Sequence, residues 1–196
     1  MNTVPILLFT YNRPSHTRQT LEALLNNKLC AESELFVFSD GYKNETDKKD
    51  VLAVRKIIHS IDGFKQIHLI ENAHNLGLAK NIIEGVTQVI NEYGKVIVLE
   101  DDLVTSPWFL TFMNEALEKF EQEEKIGHVH GYCFPLPELP DAFLIKWTGS
   151  WGWATWKRAW EKFNPDGQAL LNELKRRRLT KTFDFNGNYP FARMLQ

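Results

Sequence analysis

Cysteine is nearly absent from this sequence: Cys30 and Cys133 are the only two in 196 residues. Two residues so far apart supply no disulfide framework, and neither stands in the C-x-x-C spacing of a structural zinc site. A reducing, cytoplasmic compartment is the matching expectation. Charge of one sign is also lacking, since 23 basic and 25 acidic residues leave a formal net charge of -2. Without a broad positive field, nucleic acid is not an expected partner, and an anionic ligand has to be held by local donors or by a cation. No apolar run approaches the roughly 18 residues of a membrane span, although peripheral contact with a membrane stays compatible with the composition. The first apolar run, residues 4–9, has no basic leader and no small-residue cleavage site, so it reads as a strand. Repeats and low-complexity tracts are missing as well.

What is present is an ordinary globular composition, 43% hydrophobic and 24% charged, on a length that suits one domain. Residues 4–10 form a short, continuous apolar run expected to be a strand buried on both faces. Pro14 suits a first helical turn, and Thr17, Leu21, Leu24 and Leu25 follow at helical spacing. The unit recurs: a strand over 35–39, the turn-forming Asp40-Gly41 and a polar loop, then Val51, Val54, Ile58 and Ile61 at helical intervals. A third strand over 66–70 precedes a helix over 78–93 closed by Gly94. A fourth strand, 95–99, ends on Glu100, Asp101 and Asp102, after which Ser106-Pro107 offers an N-cap and first-turn pair for a helix running to about Glu124. Strands alternating with helices imply an α/β fold, a mainly parallel sheet flanked by helices with right-handed crossovers. In such sheets ligands bind beyond the carboxyl ends of the strands, where Thr10, Asp40, Glu71 and residues 100–102 all fall.

Three adjacent carboxylates at a strand exit repel one another, and a divalent cation removes that cost. Hard oxygen ligands suit Mg2+ or Mn2+, which retain waters and take substrate phosphates in the remaining positions. The plainer alternative is a solvated acidic turn ahead of a helix N-terminus. The loop after the first strand carries Thr10, Tyr11, Asn12 and Arg13, a set able to stack on a base and reach ribose or phosphate. Asp40 offers a carboxylate for a base or ribose hydroxyl, though Asp-Gly is also an everyday turn. Asn75, Gly77, Lys80 and Asn81 can approach the same ligand, or form a turn and an exposed helix face.

Together, Val98-Leu-Glu-Asp-Asp102, Phe9-Thr-Tyr-Asn-Arg-Pro14, Ser39-Asp40-Gly41 and Asn75-Leu-Gly-Leu-Ala-Lys-Asn81 resemble the GT-A-fold glycosyltransferases of the family-two-like group. The Glu-Asp-Asp variant of the D-x-D motif is also similar to the N-acetylglucosaminyltransferase I group. The resemblance, which extends to about Trp160, implies an inverting transferase that uses a nucleotide-diphosphate sugar, uridine diphosphate favoured, with manganese or magnesium. By position it implies Asp102 as direct metal ligand, Asp101 facing the ribose and Glu100 contacting donor-sugar hydroxyls. It also implies Asp40 at the base or ribose, with residues 10–13 lining the nucleotide pocket. The expected organisation is one domain, residues 1–126 forming a nucleotide half and 127–196 an acceptor half that receives a carbohydrate or glycoconjugate.

In the second half, Trp156, Trp160 and Phe163 share helical spacing and are expected in the core. Trp151, Gly152 and Trp153 instead place a glycine between two indoles in a loop, flat apolar faces with polar edges that suit sugar rings. Lys175 to Arg178 reads as a solvated helix face. His128 and His130 alternate along a short strand and are expected as scaffold residues, with metal ligation as the alternative. No residue stands in a clear base motif. Asp184, within Phe183-Asp-Phe-Asn-Gly187, is the candidate catalytic base. The sequence stops inside an amphipathic stretch without a cap, which suggests continuation in a longer protein. Two rivals are weaker: sugar-phosphate nucleotidylyltransferases resemble a Gly-rich first loop lacking here, and a D-x-D phosphatase would need its carboxylates after the first strand. A non-catalytic sugar-nucleotide or glycan-binding module of the same fold is the remaining alternative.

Overall fold

The computed structural model describes residues 3–196, which divide into two compact units, one ending at Trp160 and the other Glu161–Gln196. The first unit is built on a six-stranded sheet in the order β3-β2-β1-β4-β6-β5. Strands β1 (Ile6–Thr10), β2 (Glu34–Ser39), β3 (Gln66–Glu71) and β4 (Lys95–Glu100) run parallel. The edge is antiparallel, β6 (Trp153–Trp156) pairing with β4 and the two-residue β5 (Val129–His130) pairing with β6. The sheet therefore draws strands from both sides of residue 126.

The apolar runs are continuous because both faces are covered. Ile6, Leu8, Leu35, Val37, Ile97 and Leu99 pack on one face with Leu21, Leu24, Val54, Ile58, Leu110 and Met113. Those residues belong to α1 (Pro14–Leu25), α2 (Glu45–His59) and α4 (Phe109–Lys119). The alternate residues Leu7, Phe9, Phe36, Phe38, Val96 and Val98 face Val86, Val89 and Ile90 of α3 (Leu78–Tyr93). Burying each such side chain contributes about 1.5–3 kcal/mol. Gly85 lets α3 approach: a Cβ there would lie 2.8 Å from the Phe9 ring. Gly94 closes α3 in a left-handed conformation, φ 78°, as its position after the last apolar turn suggests.

Three boundaries differ from the sequence reading. Helix α2 begins at Glu45, inside the expected polar loop, because Asn44 accepts a hydrogen bond from the Asp47 backbone N–H at 3.0 Å; its first turns are polar since they face water. Helix α4 begins at Phe109, and Ser106 does not cap it with its side chain. The buried Asn27 at the end of α1 does that work, accepting from the Leu110 N–H at 3.0 Å while donating to Thr105 Oγ1 at 3.0 Å. The same helix stops at Lys119, short of Glu124, because the Arg158 guanidinium takes the carbonyls of Phe120, Glu121 and Ile126, each at 2.9 Å. A distant cation thus ends the helix, an effect that local propensity does not carry. Trp156 is buried as expected but on a strand. It pairs with Lys95 in the antiparallel edge and donates its indole N–H to the Leu117 carbonyl at 3.0 Å. Trp160 ends the short α5 (Lys157–Trp160), and Phe163 is 47% exposed.

The second unit holds α6 (Gly167–Arg176), capped by Asp166, and the single turn α7 (Thr180–Phe183). Its Phe183, Phe185 and Tyr189 rings gather around Phe191. Arg176 and Arg177 are largely exposed beside Glu173, the solvated face expected for that basic run. Among the described residues no helix is long and apolar enough to cross a membrane.

Candidate nucleotide and sugar site

The order of strands creates the site. From β1 the chain moves outward to β2 and β3, then returns to place β4 on the other side of β1. The loops after β1 and β4 therefore diverge and leave a crevice at their carboxyl ends, where ligands of open α/β sheets sit. Arg13 spans that crevice. Its guanidinium pairs with Asp101 Oδ1 through one nitrogen and with Asp102 Oδ2 at 2.9 Å through the other. Asp101 is buried and also accepts from the Tyr11 backbone N–H at 3.4 Å, whereas the Asp102 side chain is 42% exposed. Burial pushes the Asp101 carboxyl above its ordinary range against the pull of Arg13. Burial, with Asp102 and Asp101 nearby, raises Glu100 as well.

Tyr11 and Asn12 are held by a residue that the sequence reading missed. Asp47, in the first turn of α2, accepts from the Tyr11 hydroxyl at 2.8 Å and from the Asn12 amide at 3.2 Å, while the Tyr11 hydroxyl accepts from the Lys43 N–H at 3.2 Å. A carboxylate at a helix N-terminus looks like ordinary capping chemistry, so nothing in its spacing marks it. The Thr10 hydroxyl is buried at the end of β1 without a hydrogen-bond partner among the described residues.

Asp40 organises the third loop. Its Oδ1 accepts from the N–H groups of Gly41 and Leu76, both at 2.9 Å, and from the Asn72 amide at 3.3 Å. Its Oδ2 accepts from the Asn75 amide and the Gly77 N–H, both at 3.0 Å. Gly41 has to be glycine, because a Cβ there would lie 2.4 Å from the His74 carbonyl carbon. Gly77, φ 78°, turns the chain into α3. Arg55, also unmarked in the sequence, ties the ends of β2 and β3 by donating to the Asn72 carbonyl at 2.8 Å and to Ser39 Oγ at 3.2 Å. Asn81 is buried and accepts from the Asn72 amide at 3.2 Å, whereas Lys80 lies on the exposed face, 3.7 Å from Glu84.

Beside Asp102 opens a cavity of about 520 Å³ whose walls include Trp108, Phe109, Phe112, Tyr132 and Trp151. Trp151 is 52% exposed and meets Tyr132 edge-on, while Gly152 (φ 68°) is buried against Phe109. Gly131 completes this wall: its N–H donates to the Gly152 carbonyl at 2.7 Å, and a Cβ on it would lie 2.4 Å from the Phe109 ring. Trp153 stands apart on β6, stacked between His128 and Trp160. Trp108, Phe112 and Tyr132 had no distinguishing signal, since single aromatics at a helix start or just after a short strand usually face a core.

His128 and His130 stack on each other at the antiparallel edge of the sheet. His128 donates from Nε2 to the Gly149 carbonyl at 3.0 Å, and His130 packs edge-on against Trp147. Among the described residues no three His, Cys, Asp or Glu side chains gather to hold a metal ion. The exposed Asp102 carboxylate opens on the cavity. One carboxylate with substrate phosphates and water suits Mg2+ or Mn2+. Burial lowers the His128 pKa to about 4. A histidine neutral when folded but protonated near 6.5 when unfolded contributes stability that is present above 6.5 and lost as pH falls towards 4. Urea unfolding should show the parent losing about 2 kcal/mol relative to His128→Phe between pH 7.5 and pH 5. A difference independent of pH would contradict this.

A mainly parallel sheet with a carboxylate-bearing exit at its switch point, beside an aromatic cavity, is an open α/β domain built to take a ligand at the carboxyl ends of its strands. The chain belongs to glycosyl transferase family 2, whose model matches residues 6–133. Among solved structures it is similar to a mannosyltransferase from Pyrobaculum calidifontis in complex with GDP-Man and Mn2+, at 16% identity over 64% of this chain and 34% of that one, TM-score 0.48. It is also similar to S. aureus TarS, at 16% identity over 61% and 20%, TM-score 0.46. A third likeness is the galactosyltransferase LgtC in complex with donor and acceptor sugar analogs, at 11% identity over 88% and 66%, TM-score 0.46. The chain thus spans about a third of the archaeal enzyme and a fifth of TarS.

Proposed function

We propose that this chain binds a nucleotide-diphosphate sugar, with uridine diphosphate as nucleotide, together with Mn2+ or Mg2+, and that it inverts the sugar as it passes to an acceptor hydroxyl of a carbohydrate or glycoconjugate. The observation that carries the reading is the meeting of residues 10–13 with Asp101 and Asp102 at the β1/β4 crevice, directly beside the aromatic cavity. Asp102 would hold the cation, which when bound supplies charge neutralisation for the leaving diphosphate. Asp101 would face the ribose, and Glu100 the donor-sugar hydroxyls. Tyr11 and Asn12, fixed by Asp47, would line the base, with Thr10, Asn75, Gly77 and Lys80 around the nucleotide. Asp40 can reach base or ribose only where the loop it holds gives up a hydrogen bond. Trp151 and Gly152, with Trp108 and Tyr132, would form the sugar wall, and Trp153 would support it from β6. Two free cysteines, Cys30 buried and Cys133 exposed, accord with a cytoplasmic setting.

In the transfer, the acceptor oxygen attacks the anomeric carbon as the bond to the diphosphate breaks, and a carboxylate accepts the hydroxyl proton. Asp184 is the residue proposed for that step. It stands in the second unit, where its carboxylate accepts from the Ala192 N–H at 2.8 Å. That engagement favours a second reading, in which the chain is a non-catalytic sugar-nucleotide or glycan-binding module of the same fold. Loss of a general base typically costs about a hundred- to ten-thousand-fold in rate. Release of nucleoside diphosphate from donor sugars, with Mn2+ and an acceptor panel, should therefore fall by about that factor in Asp184→Asn. Turnover by the parent, lost in Asp184→Asn with binding intact, would decide for Asp184; donor binding without turnover in the parent would mark a binding module.

A further inference from the structure

We propose that Arg13 is the resident counter-cation of the Asp101–Asp102 pair, and that its charge keeps a free divalent cation off Asp102 until a diphosphate arrives with it. The inference rests on the reading of Asp102 as the metal-holding carboxylate. The guanidinium has two unequal anchors. The Asp101 side chain is 3% exposed and fixed by the Tyr11 N–H, whereas the Asp102 side chain is 42% exposed and Arg13 itself 43%. The arm to Asp101 satisfies a buried carboxylate and is costly to release. The arm to Asp102 is an exposed ion pair, worth little, and is the one that can open.

A divalent ion on Asp102 would stand beside that guanidinium, like charge facing like charge, and Asp101, whose own charge is already paired with Arg13, offsets little of that repulsion. A diphosphate changes the balance, because its negative oxygens can pair with the cation and with the released arm of Arg13 at once. Cation and nucleotide should then each raise the other's affinity by the same factor, as linkage requires. Arg13 acts here as a positioning residue that makes cation binding conditional.

The test measures free Mn2+ by its electron paramagnetic resonance signal, with the 196-residue protein and MnCl2, alone and with uridine, guanosine, cytidine or thymidine diphosphate in turn. The parent should bind Mn2+ weakly alone and far more tightly with its nucleotide. Arg13→Gln should bind Mn2+ alone about tenfold or more tighter than the parent, with correspondingly weaker coupling to nucleotide. Arg13→Lys keeps the charge and should stay close to the parent. Where Arg13→Gln is too unstable to titrate, Asp101→Asn against Asp101→Asn/Arg13→Gln makes the same comparison without stranding a buried carboxylate. Unchanged affinity for free Mn2+ on removing the charge, in either background, overturns the role given to Arg13 while leaving the metal-nucleotide reading intact. Absence of Mn2+ binding by the parent with every nucleotide overturns both.

Discussion

Asp102→Asn is expected to lower the Mn2+-dependent affinity for a nucleoside diphosphate at least about a hundredfold, close to 3 kcal/mol, while leaving the fold intact. The carboxylate sits at an exposed strand exit and makes one ion pair, to Arg13, which keeps its buried partner Asp101. Removing its charge therefore strands nothing in the interior, and the unfolding free energy should stay within about 1 kcal/mol of the parent, as for other exposed ion pairs. Calorimetric titration and urea unfolding on the same preparations separate the two effects. Equal Mn2+-dependent affinity in mutant and parent would remove Asp102 from the site, and a large stability loss would make it structural.

The opposite split is expected at Asp40. Its buried carboxylate accepts five hydrogen bonds, three of them from backbone N–H groups of Gly41, Leu76 and Gly77. Asp40→Ala leaves those donors without an acceptor in a tight loop and should cost roughly 3–5 kcal/mol of stability, the range for a broken buried network. Asp40→Asn keeps one acceptor oxygen and the volume, so its loss should fall between Ala and parent in urea unfolding. A change in Asp40→Ala below about 1 kcal/mol, the usual range for a surface substitution, would mean that the loop does not depend on this carboxylate.

Much of this architecture was legible because the buried strands spell it directly. Runs such as Val96-Ile-Val-Leu99 are apolar throughout since helices cover both faces, and a loop bearing chemistry follows each of them. The resemblance to GT-A enzymes rested on those loops, and the match to glycosyl transferase family 2 over residues 6–133 bears out the family and the fold. What stayed hidden depends on partners distant in sequence. Asn27 starts α4 and Arg158 ends it from 83 and 37 residues away, so a local signal at Ser106 or Glu124 misled. Trp156 kept helical spacing with Trp160 yet lies on a strand, because pairing with β4 outweighs a three-residue pattern. Asp47 and Arg55 look like a helix cap and a solvated helix residue until the fold brings them against Tyr11, Asn12 and Ser39.

The β1/β4 crevice should take a nucleoside diphosphate only with a divalent cation, and calorimetric titration of the four nucleoside diphosphates into this chain, with MnCl2 and again with excess EDTA, tests this most directly. One nucleotide should bind with Mn2+ and lose at least about tenfold in affinity, some 1.4 kcal/mol, when the metal is chelated. Binding equally tight in EDTA, or no binding of any nucleotide with Mn2+ present, would contradict it.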